Sequence, residues 1–146
     1  MMDDKEAVVA AKTYRRNLLQ RLFGIPQTGT PTDANCWRIE DGELCIELDR
    51  APELAEDFGA IRIEARDLPC RVLVMRDGKG EYRAFRNKCT HGGRRLDPVP
   101  GSETVCCCSV GTSTFDYQGK VLSGSAKEPI GSLAVEVVGR RLRIRV

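Results

Sequence analysis

Two stretches of this chain carry side chains that can hold a metal. The first is Cys89-Thr90-His91, a thiol and an imidazole two positions apart, followed by Gly92 and Gly93. The second is the thiol run Cys106-Cys107-Cys108. Thiolate and imidazole are the donors that iron-sulfur clusters and structural zinc take, and glycines beside them let backbone amides approach a bound group closely. His91 is the only histidine in the 146 residues, so a site that needs two imidazoles has no second one to draw on. Once His91 is a ligand it is no longer a free base. No Ser/His/Asp set with a spare histidine, no phosphate-cradling glycine loop and no spaced carboxylate pair is present, so catalysis on a substrate by this chain alone is not expected.

The elements that must position these groups follow from length and periodicity. A chain of 146 residues has room for one ordinary domain and an appended element. Lysines and arginines number 23 against 21 acids, and a net charge of +2 gives no whole-chain argument for nucleic acid or an anionic membrane. No apolar run approaches the length that spans a bilayer, and the start Met1-Met2-Asp3-Asp4-Lys5 does not resemble a signal peptide. Seven cysteines, three of them consecutive, suit thiols kept reduced, some on metal. The expected location is the cytoplasm.

Ala7, Ala11, Tyr14, Leu18 and Leu22 recur every three or four positions and predict an amphipathic helix from Asp3 to Phe23, stopped by Gly24 and Pro26. Residues 24–35 read as a linker. This divides the chain into a helix and linker at 1–35 and a domain at 36–146. From Trp37 onward the period changes to two. Trp37 and Ile39, then Leu44, Ile46 and Leu48, flank Asp41-Gly42, a two-residue hairpin signal. Short strands are expected at Ala60–Ala65, Arg71–Met75, Tyr82–Arg86, Thr104–Cys107, Thr114–Tyr117 and Lys120–Leu122. A brief helix is expected at Pro52–Phe58, and a last hairpin turns at Gly139. The fold class is all-β, a small antiparallel barrel or sandwich with an N-terminal helix.

Cys89, Thr90, His91, Gly93 and Leu96 in one loop, the thiols of the next, and the stretch from Phe115-Asp116 to Ser123-Gly124 together resemble the Rieske 2Fe-2S family. Its pattern is Cys-x-His in one loop and Cys-x-x-His in the next. The resemblance covers roughly Glu43 to Val146. Counting back from Phe115-Asp116 puts the second cysteine at Cys108 and the second histidine at Gly111. A register that starts from Cys106 puts Ser109 at the histidine position and needs two extra residues before Phe115. The resemblance thus implies Cys89 and Cys108 as thiolate ligands, His91 as an imidazole ligand, and Gly92 and Gly93 as positions of close backbone approach to a 2Fe-2S cluster.

Gly111 has no side chain to offer iron, which leaves three outcomes open. A thiolate from Cys107 or Cys106 completes the set, and the added negative charge lowers the potential below that of a two-imidazole centre. Alternatively the cluster is lost and the domain persists as a binding or structural subunit of a larger enzyme, as in the Rieske-like small subunits of assimilatory nitrite reductases. The third outcome is zinc on thiolates and one imidazole, although the paired Cys-x-x-Cys knuckles usual for zinc are absent. The expectation carried forward is a soluble electron carrier or small redox subunit of an oxidoreductase. Its partner would be a reductase or oxygenase component, with no nucleic acid and no membrane. Arg83, Arg86, Lys88, Arg94 and Arg95 around the first loop form the candidate docking face for an acidic partner; an ordinary solvated surface is the alternative.

Overall fold

The computed structural model of the chain describes residues 26–107 and 112–146. The predicted N-terminal helix lies outside the described residues, as do Cys108 and Gly111. Within them the first hairpin forms as its turn dictates. Strand β1 (Trp37–Glu40) meets β2 (Glu43–Glu47) with Glu40 opposite Glu43. Asp41 and Gly42 between them have φ of 51° and 77°, the left-handed pair that a two-residue hairpin needs. Strands β3 (Ala60–Ile63), β4 (Val72–Arg76) and β5 (Tyr82–Arg86) follow. Next come β6 (Leu96–Pro98), β7 (Thr104–Cys107), β8 (Thr114–Asp116) and β9 (Val121–Ser123). The chain closes with β10 (Ser132–Leu133), β11 (Val135–Val138) and β12 (Arg141–Arg145).

These strands make three four-stranded sheets, ordered β1-β2-β12-β11, β10-β5-β4-β3 and β6-β7-β8-β9. All the pairings are antiparallel. The second sheet is the middle layer, and the alternation of side chains along β4 shows why. Val72 and Val74 enter one core with Leu44, Ile46, Leu142 and Ile144 of the first sheet. Leu73 and Met75 enter the other with Leu96, Val105 and Phe115 of the third. A strand buried on both faces reads as an unbroken apolar run, which Val72–Met75 is. On β5, Ala84 and Phe85 split between the two cores in the same way. Each fully buried Phe contributes about 1.5–3 kcal/mol by burial alone, so Phe85 and Phe115 are principal anchors of the second core.

The differences from the expected elements are local. The brief helix expected at Pro52–Phe58 is replaced by two 3-10 turns, Leu48–Arg50 and Pro52–Leu54. Strand β6 contains Pro98, which lacks a ladder donor and hides the strand from a propensity reading; it is accommodated because β6 is an edge of its sheet. The last part of the linker is a strap. Gln27 and Thr28 donate their backbone N–H groups to the buried carboxylate of Asp97 on β6, at 3.0 and 2.8 Å. Gly29 accepts the Arg62 N–H of β3 at 2.9 Å. Residues 27–29 therefore stitch the middle sheet to the third, which carries the loops of interest.

Candidate metal centre

Loop 1 runs from Asn87 to Arg95 between β5 and β6. Its shape is fixed by a fully buried amide and a half-buried guanidinium. Asn87 Oδ1 accepts the Leu96 N–H at 2.7 Å. Arg71 donates from Nε to the Asn87 carbonyl at 3.1 Å and from Nη2 to the Gly93 carbonyl at 2.6 Å. Inside this clamp the loop closes on itself. Cys89 N–H donates to the Arg94 carbonyl at 2.7 Å, and the Cys89 carbonyl accepts the Gly93 N–H at 2.8 Å. Gly93 has φ of 69°, a left-handed conformation that makes glycine the natural occupant. Cys89 is wholly buried, while His91 and Gly92 are exposed.

The Cys89 sulfur accepts the backbone N–H groups of His91 and Gly92 and touches the Cys107 thiol. Burial pushes the Cys89 thiol up, the two amides pull it down, and the neighbouring Cys107 pushes it up again; the net direction is up. Oriented amides of this kind favour negative charge on the sulfur, which a thiolate bound to iron carries.

Strand alternation decides which thiol of the run reaches Cys89. On β7, Val105 and Cys107 face the second core, and Cys106 falls on the opposite face. Counting from Phe115 put Cys108 at this position. Cys108 lies outside the described residues, and the thiol that meets Cys89 is that of Cys107. If Cys107 is the second cysteine, loop 2 holds one residue more before Phe115 than the counting assumes, and the second-histidine position moves from Gly111 to Val110. Neither is an imidazole.

Loop 2 leaves β7 at Cys107, whose N–H donates to the Ser113 carbonyl at 2.8 Å. A third loop, residues 124–131, buttresses both others and was not anticipated from the sequence. Ala126 N–H donates to the buried Ser113 Oγ at 2.9 Å, and Thr90 Oγ1 donates to the Glu128 carbonyl at 2.6 Å. Ala126 and Ile130 bury themselves in the second core. The signal available was a Gly124-to-Gly131 stretch holding two apolar residues and Pro129, which reads only as turn chemistry.

The five cations expected on one face separate. Arg83 bonds Asp77 at 3.1 Å and Glu81 at 3.0 Å, with its guanidinium 5.1 Å from the Tyr117 ring centre. Arg95 makes a two-pronged pair with Glu64. Arg86 and Lys88 remain exposed, and Arg94 is half-buried.

The chemistry of the donor set tests what this centre fits. Two buried thiols in contact under two amides fit one iron or another thiophilic ion. A Cys2His2 set does not fit, because the chain has one histidine. Among the described residues no three His, Cys, Asp or Glu side chains converge on a common point.

The Rieske [2Fe-2S] domain model matches residues 47–136. The chain belongs to this family. The solved structures it resembles include the plasma membrane Rieske protein PetC3 of the cyanobacterium Synechocystis PCC 6803, at 24% identity and a TM-score of 0.50, covering 60% of this chain and 87% of that one. The ferredoxin of carbazole 1,9a-dioxygenase from Nocardioides aromaticivorans IC177 matches at 21% identity and a TM-score of 0.52, over 61% of this chain and 86% of that one. A complex of reduced oxygenase and oxidised ferredoxin in carbazole 1,9a-dioxygenase matches at 20% identity and a TM-score of 0.50, over 61% and 82%. At these identities the likeness speaks for the fold. No curated protein matches the chain. No helix among the described residues is long and apolar enough to cross a membrane.

Proposed function

We propose that this Rieske domain is an electron-transfer component, a carrier or small redox subunit, whose 2Fe-2S cluster is held by three thiolates and one imidazole. Cys89 and Cys107 hold one iron. His91 and a further thiolate hold the other, and Cys108, next in the chain to Cys107, is the proposed donor. The observation that carries the reading is the contact of the Cys89 and Cys107 thiols beneath the N–H groups of His91 and Gly92. Both thiols are buried in the apolar second core, and burial raises the Cys89 thiol, so a thiophilic cation taking the place of its proton supports the reading.

Bound there, a 2Fe-2S cluster supplies a one-electron ferric/ferrous couple. The chain's own residues prepare the place. Arg71 and Asn87 hold loop 1, the Phe85 and Phe115 core excludes water from the sulfurs, and exposed His91 brings the edge of the site to the surface. A third thiolate in place of an imidazole makes the centre more negative and its potential lower than that of a two-imidazole centre. Its structural neighbours include a ferredoxin and a ferredoxin–oxygenase complex, which supports a protein redox partner, an oxygenase or reductase component. Six free cysteines among the described residues support a reducing compartment such as the cytoplasm.

The test is metal and acid-labile sulfide analysis with visible and EPR spectra, on protein purified without oxygen and again after reconstitution. About two irons and two sulfides per chain are expected. Cys107→Ser and Cys108→Ser lose the spectrum with the circular dichroism of the folded chain retained, and Cys106→Ser keeps it. Colourless, iron-free protein in both preparations refutes the carrier and leaves a cluster-free binding subunit; stoichiometric zinc refutes it in favour of a structural site.

A further inference from the structure

We infer that the side-chain amide of Asn87 is a third N–H donor to the sulfurs of the metal centre, beside the backbone N–H groups of His91 and Gly92. Its effect on the potential rests on the electron-transfer reading; its effect on the amide itself needs only a metal on the thiols.

Asn87 is fully buried at the start of loop 1. Its Oδ1 accepts the Leu96 N–H at 2.7 Å, and because that partner is a donor the orientation of the amide is fixed. The other end, Nδ2, is buried and has no hydrogen-bond partner among the described residues. A buried amide without an acceptor carries an uncompensated desolvation cost, which calls for an acceptor beyond those in place.

The strand pattern shows which acceptors are near. Phe85 faces the second core and Arg86 is exposed. The ladder continues one residue further, with the Asn87 N–H donating to the Arg71 carbonyl at 2.8 Å, so Asn87 returns to the Phe85 side. Its amide is anchored at Leu96, and Leu96 stands opposite Cys107 in the β6–β7 register. In that core Met75, Cys89 and Cys107 end in or carry sulfur. Met75 pairs with Arg83 at the other end of β4, and its thioether is a weak acceptor. The Tyr117 hydroxyl is engaged at the far turn, donating to the Ser102 carbonyl at 3.2 Å. The thiols of Cys89 and Cys107 remain. A neutral thiol is also a weak acceptor, whereas a thiolate on metal carries charge and takes charge-assisted hydrogen bonds. Metal on these thiols therefore supplies what Nδ2 lacks. Such a bond strengthens as the sulfur gains negative charge, so the donor favours the reduced state and works against the lowering that a third thiolate brings.

The first probe is cadmium ion, diamagnetic and thiophilic, titrated into the full chain labelled with 15N-asparagine. Asn87→Ala assigns the signal by its loss. On binding, seen as sulfur-to-cadmium absorption, an Asn87 Nδ2 proton moves downfield and exchanges with solvent about tenfold more slowly, while the amide of exposed Asn35 stays where it was. The second readout is the reduction potential of the reconstituted chain. Asn87→Ala makes reduction about tenfold less favourable, ~59 mV for one electron. The sign separates a donor from a merely structural residue, because a loosened loop admits water, which stabilises the more negative reduced cluster and raises the potential. An Asn87 amide unmoved by bound cadmium, or an unchanged or raised potential in Asn87→Ala, overturns the inference. Wild-type chain that holds no iron after reconstitution sinks the electron-transfer reading, and the cadmium titration then decides the amide's role alone. A chain that takes up neither metal overturns both.

Discussion

Gly124→Ala probes the least forgiving contact of the site. Gly124 has φ of 93°, and a Cβ built on it stands 2.4 Å from Ser113 Cα, 2.8 Å from the Thr112 carbonyl oxygen and 2.9 Å from Ser113 N. All three neighbours are backbone atoms, which cannot swing aside as a side-chain tip can. Left-handed backbone costs alanine about 1–2 kcal/mol, and forcing a methyl group into a closed contact costs about 1–3 kcal/mol more. The sum is roughly 2–5 kcal/mol. Gly139→Ala supplies the control, for Gly139 has φ of 61° and nothing within 4 Å of its Cβ position, so it carries the conformational cost alone. Urea unfolding of both variants isolates the contact as their difference. The consequence reaches the thiols, because Ser113 accepts the Cys107 N–H on its carbonyl at 2.8 Å and the Ala126 N–H on its hydroxyl at 2.9 Å. Displacing Ser113 loosens Cys107 against Cys89, and retained metal falls with stability. If the two variants lose the same stability to within about 0.5 kcal/mol, Ser113 does not pack where this reasoning puts it.

Two further outcomes are expected. The hydrogen bonds from Arg95 hold the Glu64 carboxyl below the ordinary glutamate value of 4.5, against the opposing effect of burial. A depressed carboxylate adds stability that is fully present above the unfolded value and lost as pH falls through the folded one, so the wild type weakens below about pH 4.5. Glu64→Gln flattens that part of the profile by about 1 kcal/mol, measured by denaturation from pH 6 down to about pH 3; an unchanged acid slope refutes the pairing. Gly92→Ala separates fold from cofactor, since nothing lies within 4 Å of its Cβ position and its φ is not left-handed. Stability stays within about 0.5 kcal/mol of wild type while iron retained after reconstitution falls. Unchanged iron removes Gly92 from the site.

Much of the architecture was legible because burial on one face or two leaves different marks. The Asp41-Gly42 turn, the alternation of Leu44 and Ile46, and the solid apolar run Val72–Met75 each carry a local rule that the folded chain obeys. What was not legible depends on contacts distant in sequence. Asp97 reads as a surface acid, yet it is buried because the backbone of Gln27 and Thr28 returns to it across some seventy positions. Asn87 reads as a turn residue, yet its amide oxygen sets the end of loop 1 on the Leu96 N–H. The third loop has no thiol or imidazole, and its role is exerted through the Ala126 N–H, the Glu128 carbonyl and the glycine beside Ser113. Arg83 and Arg95 looked like members of a cationic surface because their acids, Asp77 and Glu64, come from other turns of the chain.

Three consecutive thiols make the ligand question one of parity. Spacing from Phe115 counts residues through loop 2, and an insertion of one residue there changes the answer without changing the motif around it. Strand pairing is insensitive to that insertion, because Val105 opposite Phe115 and Cys106 opposite Thr114 fix β7 from its paired side. With Val105 facing the second core, Cys107 must face it too, and Cys106 must face away. A shift of one position would send Val105 outward and replace it in the core by Thr104 or Cys106. The apolar demand of the core thus selects which cysteine meets Cys89, so that through Phe115 and Val105 the packing of the fold, rather than the spacing of the motif, decides which thiol lies beside it.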